Sequence, residues 1–350
     1  MKKNNRILIR LLPLLILTTT IVVLNAQTTK RVYPNDARIS YGGSLHLVRM
    51  NDSILMNRHT AELFKKPETF IIESKANTTT GITITFSTNS KHTKLLFTLR
   101  SNVDQREPFF AIYKNDEWLK TVKTVAPILD NSSEKTVTWK VYLPIFSGLT
   151  FHGIEIDADA KLDPTKNDKS KVYVSIGNSI THGVGQSDVS SDCTYPALLA
   201  KAKGWQLYNL AVGGSRISPA IADEFDELKV DVITVLWGYN DWNQAIDPIS
   251  VVGERYHRLL IKLRAKHPES SIYCILPTVT TTKKIATSTQ YSELRELETD
   301  AINSIVNMGD EKLFTIDGLA LTSKEDLVGN VHLTTDGAKI FAKKLANSIK

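Results

Sequence analysis

Apolar and polar positions alternate in short segments over the first half of the chain. Residues 81–86 alternate strictly, and polar turns separate this segment from the runs that follow. The other apolar runs have similar lengths and lie at 95–99, 109–113, 137–143 and 153–156. Short strands at this spacing are typical of an antiparallel sandwich or jelly roll. We therefore predict an all-β domain over residues 27–160.

The second half has a different pattern, in which strands alternate with amphipathic helices. Apolar residues at helical spacing predict helices over 249–267 and 292–308 and a last helix from residue 335. Buried-type strands are predicted at 172–176, 207–212, 230–236, 272–276 and 313–316. Alternating units of this kind indicate a parallel sheet with helices on both faces. We predict a flavodoxin-like three-layer α/β domain over 172–350, joined to the first domain by a polar linker at 161–171.

The N-terminal segment differs from both halves. Four basic residues precede the apolar run 11–24, which ends before Asn25-Ala26-Gln27. This pattern is typical of a secretory signal peptide over residues 1–26. The alternative is an uncleaved membrane anchor, but a span needs about 20 apolar residues. We expect cleavage near Ala26, export to the periplasm or the medium, and no stable membrane insertion.

Composition narrows the function classes further. Loss of the four basic residues of the signal peptide lowers the formal charge from +6 to +2, because that segment holds no acidic residue. No basic stripe suggests nucleic-acid binding. The two cysteines, Cys193 and Cys274, leave both a disulfide and free thiols open, with a free buried thiol the default for Cys274. No Cys/His spacing suggests a metal site, and no cofactor is expected.

Candidate catalytic residues follow the predicted strands. Ser179, Gly214 and Asn240 each come directly after a strand, so all three fall on the carboxyl edge of the sheet. A serine nucleophile needs a base and donors for the oxyanion. Gly214 offers a backbone N–H and Asn240 a neutral amide. His332, just before the last helix, is the preferred base, and His182 is a weaker candidate.

These blocks resemble those of SGNH/GDSL-type hydrolases. The resemblance rests on Gly177-Asn178-Ser179-Ile180-Thr181, on Gly214, on Gly238-x-Asn240-Asp241 and on His332, and it covers residues 172–350. It implies Ser179 as nucleophile and His332 as base. It also implies an oxyanion hole formed by the N–H groups of Ser179 and Gly214 and the Asn240 amide. The β-rich domain ahead of it is similar to the arrangement in two-domain carbohydrate O-acetylesterases.

The chain departs from the family pattern at two positions. Asn178 stands where the family usually has Asp, and Gly329 stands three residues before His332, where an Asp often orients the imidazole. A triad needs an acceptor on the second ring nitrogen. Asp326, the weaker candidate Asp336, or a backbone carbonyl that leaves a Ser–His dyad all stay open.

The sequence thus predicts an exported serine esterase that removes small acyl groups, foremost acetyl, from carbohydrates. An acylated oligo- or polysaccharide is the expected partner, and Trp237 and Trp242 either stack on a sugar ring or pack beside the sheet. The alternatives are a lipase, phospholipase or thioesterase of the same superfamily, and an inactive glycan-binding protein.

Overall fold

The structure, a computed structural model, describes residues 28–133, 135–165, 171–283 and 290–349. The predicted signal peptide, residues 1–26, lies outside the described residues. Within these ranges no helix is both long and apolar enough to cross a membrane.

The first half of the chain is built almost entirely of strands. Its one α-helix in the described part is α1 (Glu73–Ala76). Its strands are β1 (Thr29–Val32), β2 (Ser40–Gly42), β3 (His46–Arg49), β4 (Ile54–Asn57), β5 (Thr83–Thr88), β6 (His92–Asn102), β7 (Phe109–Lys114), β8 (Glu117–Lys123), β9 (Ile128–Asp130), β10 (Val137–Tyr142), β11 (Ser147–Asp157) and β12 (Leu162–Asp163).

These strands form two antiparallel sheets that share one apolar core. One sheet has the order β3-β4-β11-β6-β9 with β1 on β11, and the other has the order β12-β5-β10-β7-β8 with β2 on β5. Strand β10 shows the alternation that the sequence predicts, since Val137, Trp139 and Val141 point into the core. The all-β antiparallel prediction is confirmed. Strand β12 pairs with β5, so the second sheet extends into the predicted linker at 161–171.

The second half contains the parallel sheet and most of the helices. Its strands are β13 (Val172–Gly177), β14 (Gln206–Asn209), β15 (Val232–Leu236), β16 (Ser271–Ile275), β17 (Leu313–Ile316), β18 (Leu327–Val328) and β19 (His332–Leu333). Its helices are α2 (Ser179–His182), α3 (Tyr195–Lys203), α4 (Tyr239–Gln244), α5 (Ile249–Lys266), α6 (Tyr291–Asn307), α7 (Gly318–Leu321) and α8 (Thr335–Ser348).

Strands β13 to β17 form a five-stranded parallel sheet with the order β14-β13-β15-β16-β17. This is the flavodoxin-like order, which confirms the predicted fold class. In such a sheet the ligand crevice lies at the carboxyl ends of the two strands that flank the change of direction. Here those strands are β13, which leads to Ser179, and β15, which leads to Asn240. Helix α3 escaped the sequence prediction because small alanines occupy much of its buried face.

Arg58 joins the two halves in the interior. Its side chain is fully buried. It donates to the carbonyl oxygens of Thr78 at 2.9 Å, Asn209 at 3.0 Å and Ala211 at 2.6 Å. Burial lowers the pKa of Arg58 to about 9, which leaves the guanidinium charged at neutral pH. The contact fixes the chain that leads from β14 into the turn at Gly214.

Candidate active site

Ser179 is held at the first position of α2, immediately after β13. The Asn178 side chain caps this helix, because its Oδ1 accepts from the Ile180 N–H at 3.2 Å. An amide oxygen can cap a helix as a carboxylate oxygen does. Asn178, which stands where the family usually has Asp, therefore preserves the turn. Gly177 is required by space, since a Cβ there would lie 2.6 Å from the Leu236 carbonyl oxygen.

The structure brings Ser179 and His332 into contact, although 153 residues separate them along the chain. Ser179 Oγ lies 2.9 Å from His332 Nε2, in the geometry of a nucleophile and its base. The hairpin of β18 and β19 carries His332 to this position just before α8 begins. Burial, and then the positive charge of Arg106, lower the pKa of His332. The imidazole is therefore neutral near pH 7 and able to accept a proton.

Neither carboxylate proposed to orient His332 reaches it. Asp326 Oδ2 accepts instead from the Ser323 N–H at 2.7 Å and the Ser323 hydroxyl at 3.0 Å. Asp336 pairs with Lys339 at 2.8 Å. In the part of the chain that the structure describes, Ser179 is the one hydrogen-bond partner of the His332 ring. Within the described residues the arrangement is a Ser–His pair to which no carboxylate is bonded, which favours the dyad alternative.

Three candidate donors belong to residues that line the same cavity as Ser179. Asn240 Nδ2 donates one hydrogen to the Ser215 carbonyl oxygen at 2.8 Å, which orients the amide and leaves its second hydrogen for a ligand. The N–H groups of Ser179 and Gly214 have no acceptor among the described residues. Gly214 adopts φ 82°, in the left-handed region that favours glycine. Ser179, Gly214 and Asn240 all line one cavity, as an oxyanion hole requires.

His182, the weaker candidate base, has a supporting position instead. It is buried beneath the turn, and its Nδ1 accepts the Gly213 N–H at 2.9 Å. Its Nε2 lies 3.2 Å from the Ile145 carbonyl oxygen and 3.1 Å from the Thr78 hydroxyl. Burial lowers the pKa of His182 well below 6.5, so the neutral ring donates through Nε2 and accepts through Nδ1.

Asp241 anchors the helix that carries Asn240. Its Oδ1 pairs with Arg255 Nη1 at 3.0 Å, and its Oδ2 accepts the Ile217 N–H at 3.1 Å. Burial raises the pKa of Asp241 to about 6, against the opposing effect of these partners. Arg255 also reaches Asp247 at 2.6 Å. Sequence reasoning missed Arg255, because one arginine on an amphipathic helix gives no local sign of a buried partner.

The cavity in front of Ser179 has a volume of about 570 Å³, and both halves of the chain form its walls. Lys75, Val103 and Phe146 line it from the β-rich half.

Neither tryptophan considered for sugar stacking is exposed. Trp237 is buried and donates to the Ser215 carbonyl oxygen at 3.2 Å, and Trp242 is buried against Tyr291. Packing is thus the role that the structure supports for both.

Both cysteines are free thiols. Cys274 is buried in β16, as the default interpretation expected, and Cys193 is half-buried. Among the described residues no three His, Cys, Asp or Glu side chains lie together in a way that could hold a metal ion.

Comparison with known families identifies the class of the second half. The model of the GDSL-like lipase/acylhydrolase family matches residues 175–340. With the parallel sheet and the site at its carboxyl edge, this match defines an ester-bond hydrolase. This part of the chain belongs to the GDSL-like, or SGNH, lipase/acylhydrolase family. A sequence comparison with curated proteins gives no match.

Solved structures share the architecture of both halves at low identity. The salicylyl-acyltransferase SsfX3 from a tetracycline biosynthetic pathway has a TM-score of 0.79 and 18% identity, covering 91% of this chain and 95% of its own. A family two carbohydrate esterase from Clostridium thermocellum, in complex with cellohexaose, has a TM-score of 0.66 and 16% identity. The match covers 89% of this chain and 98% of the esterase. The acetyl xylan esterase Est2A from Butyrivibrio proteoclasticus has a TM-score of 0.63 and 15% identity, and the match covers 88% of this chain and 98% of Est2A. These likenesses concern the fold.

Proposed function

We propose that this protein is an exported serine esterase that hydrolyses small acyl esters, foremost acetyl esters, on carbohydrates. The observation that carries the proposal is the 2.9 Å contact between Ser179 Oγ and His332 Nε2 beside three available donors. A cleft that pairs a serine with a neutral histidine and leaves donors for an oxyanion fits acyl transfer from an ester. Export follows from the predicted signal peptide.

In the proposed mechanism, His332 Nε2 takes the Ser179 proton as Oγ attacks the ester carbonyl. The tetrahedral oxyanion accepts hydrogen bonds from the N–H groups of Ser179 and Gly214 and from the Asn240 amide. His332 then gives its proton to the leaving sugar hydroxyl, and the acyl group stays on Ser179. Water then attacks this acyl-enzyme as it gives a proton to His332, and His332 returns that proton to Ser179 Oγ when the bond to the acyl group breaks and acetate is released.

The carbohydrate substrate is supported by the whole-chain similarity to the two carbohydrate esterases. In this chain the β-rich half supplies Lys75, Val103 and Phe146 to the cavity wall. The alcohol part of the ester is therefore expected to contact both halves. The similarity to the salicylyl-acyltransferase supports a second candidate, in which the acyl group passes from Ser179 to another alcohol rather than to water.

The experiment is acetate release from acetylated xylan and other acetylated glycans by the purified chain without residues 1–26. Ser179→Ala should lower the rate by about 10³-fold or more, as expected on removing a nucleophile. Ser270→Ala is the matched control. Ser270 is also buried, but its hydroxyl donates to the Val230 carbonyl oxygen, which lies ahead of the amino end of β15.

Substrate range separates the alternatives. A series of esters from acetate to octanoate should show the highest kcat/KM for acetate, whereas a lipase would favour the longest chains. Formation of a new ester on a sugar alcohol that is added as acceptor would identify a transferase. No acetate release, together with no labelling of Ser179 by a fluorophosphonate, would support the inactive glycan-binding alternative and overturn the proposal.

A further inference from the structure

Lys75 brings a positive charge to the wall of the catalytic cavity. It lies on α1 of the β-rich half and lines the cavity. Its Nζ is 4.0 Å from the point where a Cβ on Gly214 would stand, so the ammonium is beside the proposed oxyanion turn. Among the described side chains no carboxylate lies within ion-pair distance of Lys75. A half-buried ammonium in a cleft without a counter-ion is available to a ligand.

Arg106 adds a second positive charge close to the same cavity. Its guanidinium lies over the ring of Phe146 at 4.2 Å, and Phe146 lines the cavity. The one hydrogen bond of its guanidinium to a described group goes to the Gln186 carbonyl oxygen at 3.4 Å. The charge of Arg106 lowers the pKa of His332, so its field reaches the reacting groups.

The charge of the cavity wall in the described structure has one sign. None of the residues that line the cavity in the described structure is Asp or Glu. Asp241, which lies next to Asn240, is buried in its pair with Arg255 and directed away from the cavity lining. A concave site with charge of one sign focuses its field on an incoming ligand. A neutral acetylated sugar has no group that would complement this field.

We propose that the cavity selects acetyl esters of anionic sugars, with Lys75 pairing with the anionic group of the sugar and Arg106 adding to the field. The inference rests on the proposed esterase function and names its substrate class. The anionic group is a carboxylate, as in a uronic acid, or a sulfate, and the two are compared directly in the experiment.

The test compares an acetylated methyl glucuronoside with its neutral carboxamide, acetylated at the same hydroxyl. A sulfated acetyl glucoside and its unsulfated form make the second pair. For the preferred anion, kcat/KM should exceed that of the neutral partner by about 10-fold or more, as a charge-assisted hydrogen bond allows. The ratio should fall as salt is raised from about 0.01 M to 1 M, because salt screens the attraction.

Substitutions locate the effect. Lys75→Met should lower the anionic-to-neutral ratio by about 10-fold, and Lys75→Glu should bring it below one. Lys94→Met is the matched control, because Lys94 is an exposed lysine of β6 and should leave the ratio unchanged. Labelling of Ser179 by a fluorophosphonate shows that each variant has an assembled site.

Two results would overturn the inference. One is a wild-type ratio near one at every salt concentration, which needs no variant. The other is an equal loss on both substrates in Lys75→Met, which would make Lys75 a support of the oxyanion instead. Acetate release from neither substrate would overturn the proposed function itself, so the two failures are distinguishable.

Discussion

His182→Ala is expected to slow the acyl-transfer step while leaving the identity of the base unchanged. The substitution removes the acceptor of the Gly213 N–H and the partner of the Ile145 carbonyl oxygen and Thr78 hydroxyl. These three contacts connect the turn before Gly214 to the β-rich half. His182 is thus a positioning residue, because it acts on the oxyanion donor through the backbone.

The magnitude follows from the contacts. Leaving one buried donor or acceptor unsatisfied costs about 1–3 kcal/mol. The Thr78 hydroxyl keeps Arg58 Nη2 at 2.9 Å, so the Gly213 N–H and the Ile145 carbonyl oxygen are the two groups that lose a partner. These two groups and the space left by the ring give an expected loss of about 3–5 kcal/mol in the free energy of unfolding. Complete removal of an oxyanion donor lowers kcat by about 10²–10³-fold. Here the Gly214 N–H is displaced rather than removed, so we expect a decrease in kcat of about 10–100-fold.

The assay is kcat for p-nitrophenyl acetate across pH, with urea unfolding of the same preparations. His267→Ala is the matched control, since His267 is also buried, stacks on Phe225 at 4.5 Å, and lies at the far end of α5. It should lose stability and keep kcat. A stability loss with unchanged kcat in His182→Ala would refute the positioning role. A lost acid limb in its pH profile would show that His182 is the base.

Three further predictions concern charge and backbone geometry. Arg106→Met should move the acid limb of kcat/KM to higher pH, because loss of the positive charge raises the pKa of His332, and an unmoved limb would contradict this. Gly214→Ala should lower kcat by about 10²-fold, since a Cβ at φ 82° is strained and would lie 2.8 Å from Ile72 Cδ1; near-normal turnover would show that the turn adapts. Glu298 is buried, neither of its oxygens has a hydrogen-bond partner among the described residues, and burial raises its pKa well above 4.5. The native state then holds a proton that the unfolded chain has lost, so unfolding free energy decreases as pH rises above 4.5. Glu298→Gln should gain stability relative to wild type between pH 5 and pH 8 in urea unfolding, and parallel profiles would argue against this.

Much of the fold could be predicted from local pattern. Strand β10 alternates and β15 is apolar throughout, because one has a single buried face and the other lies within a covered parallel sheet. Strands β1 to β4 were not predicted. They are three or four residues long, and their pairing with distant strands such as β5 and β11 leaves little local signal.

The candidate site was predictable to the extent that topology implies it. In a parallel sheet the loops that follow the strands lie at one edge. The sequence therefore predicted that Ser179, Gly214 and Asn240 lie at the same edge of the sheet. The interpretation of Trp237 and Trp242 remained open, because sequence neighbours of a site residue do not reveal which face of the sheet they occupy. Burial in the structure decided it.

The sequence by itself determined the two architectures and the residue types for acyl transfer. Hydrophobic periodicity and the succession of strands and helices along the chain can both be read from local sequence. Only the tertiary structure decided how His332 is held, since Asp326 turns to Ser323 and no carboxylate reaches the imidazole among the described residues. It also decided that His182 supports the oxyanion turn and that Lys75 faces the cavity. The role of His182 depends on contacts between its side chain and backbone groups more than 30 residues away in the chain, which packing fixes and local sequence does not encode.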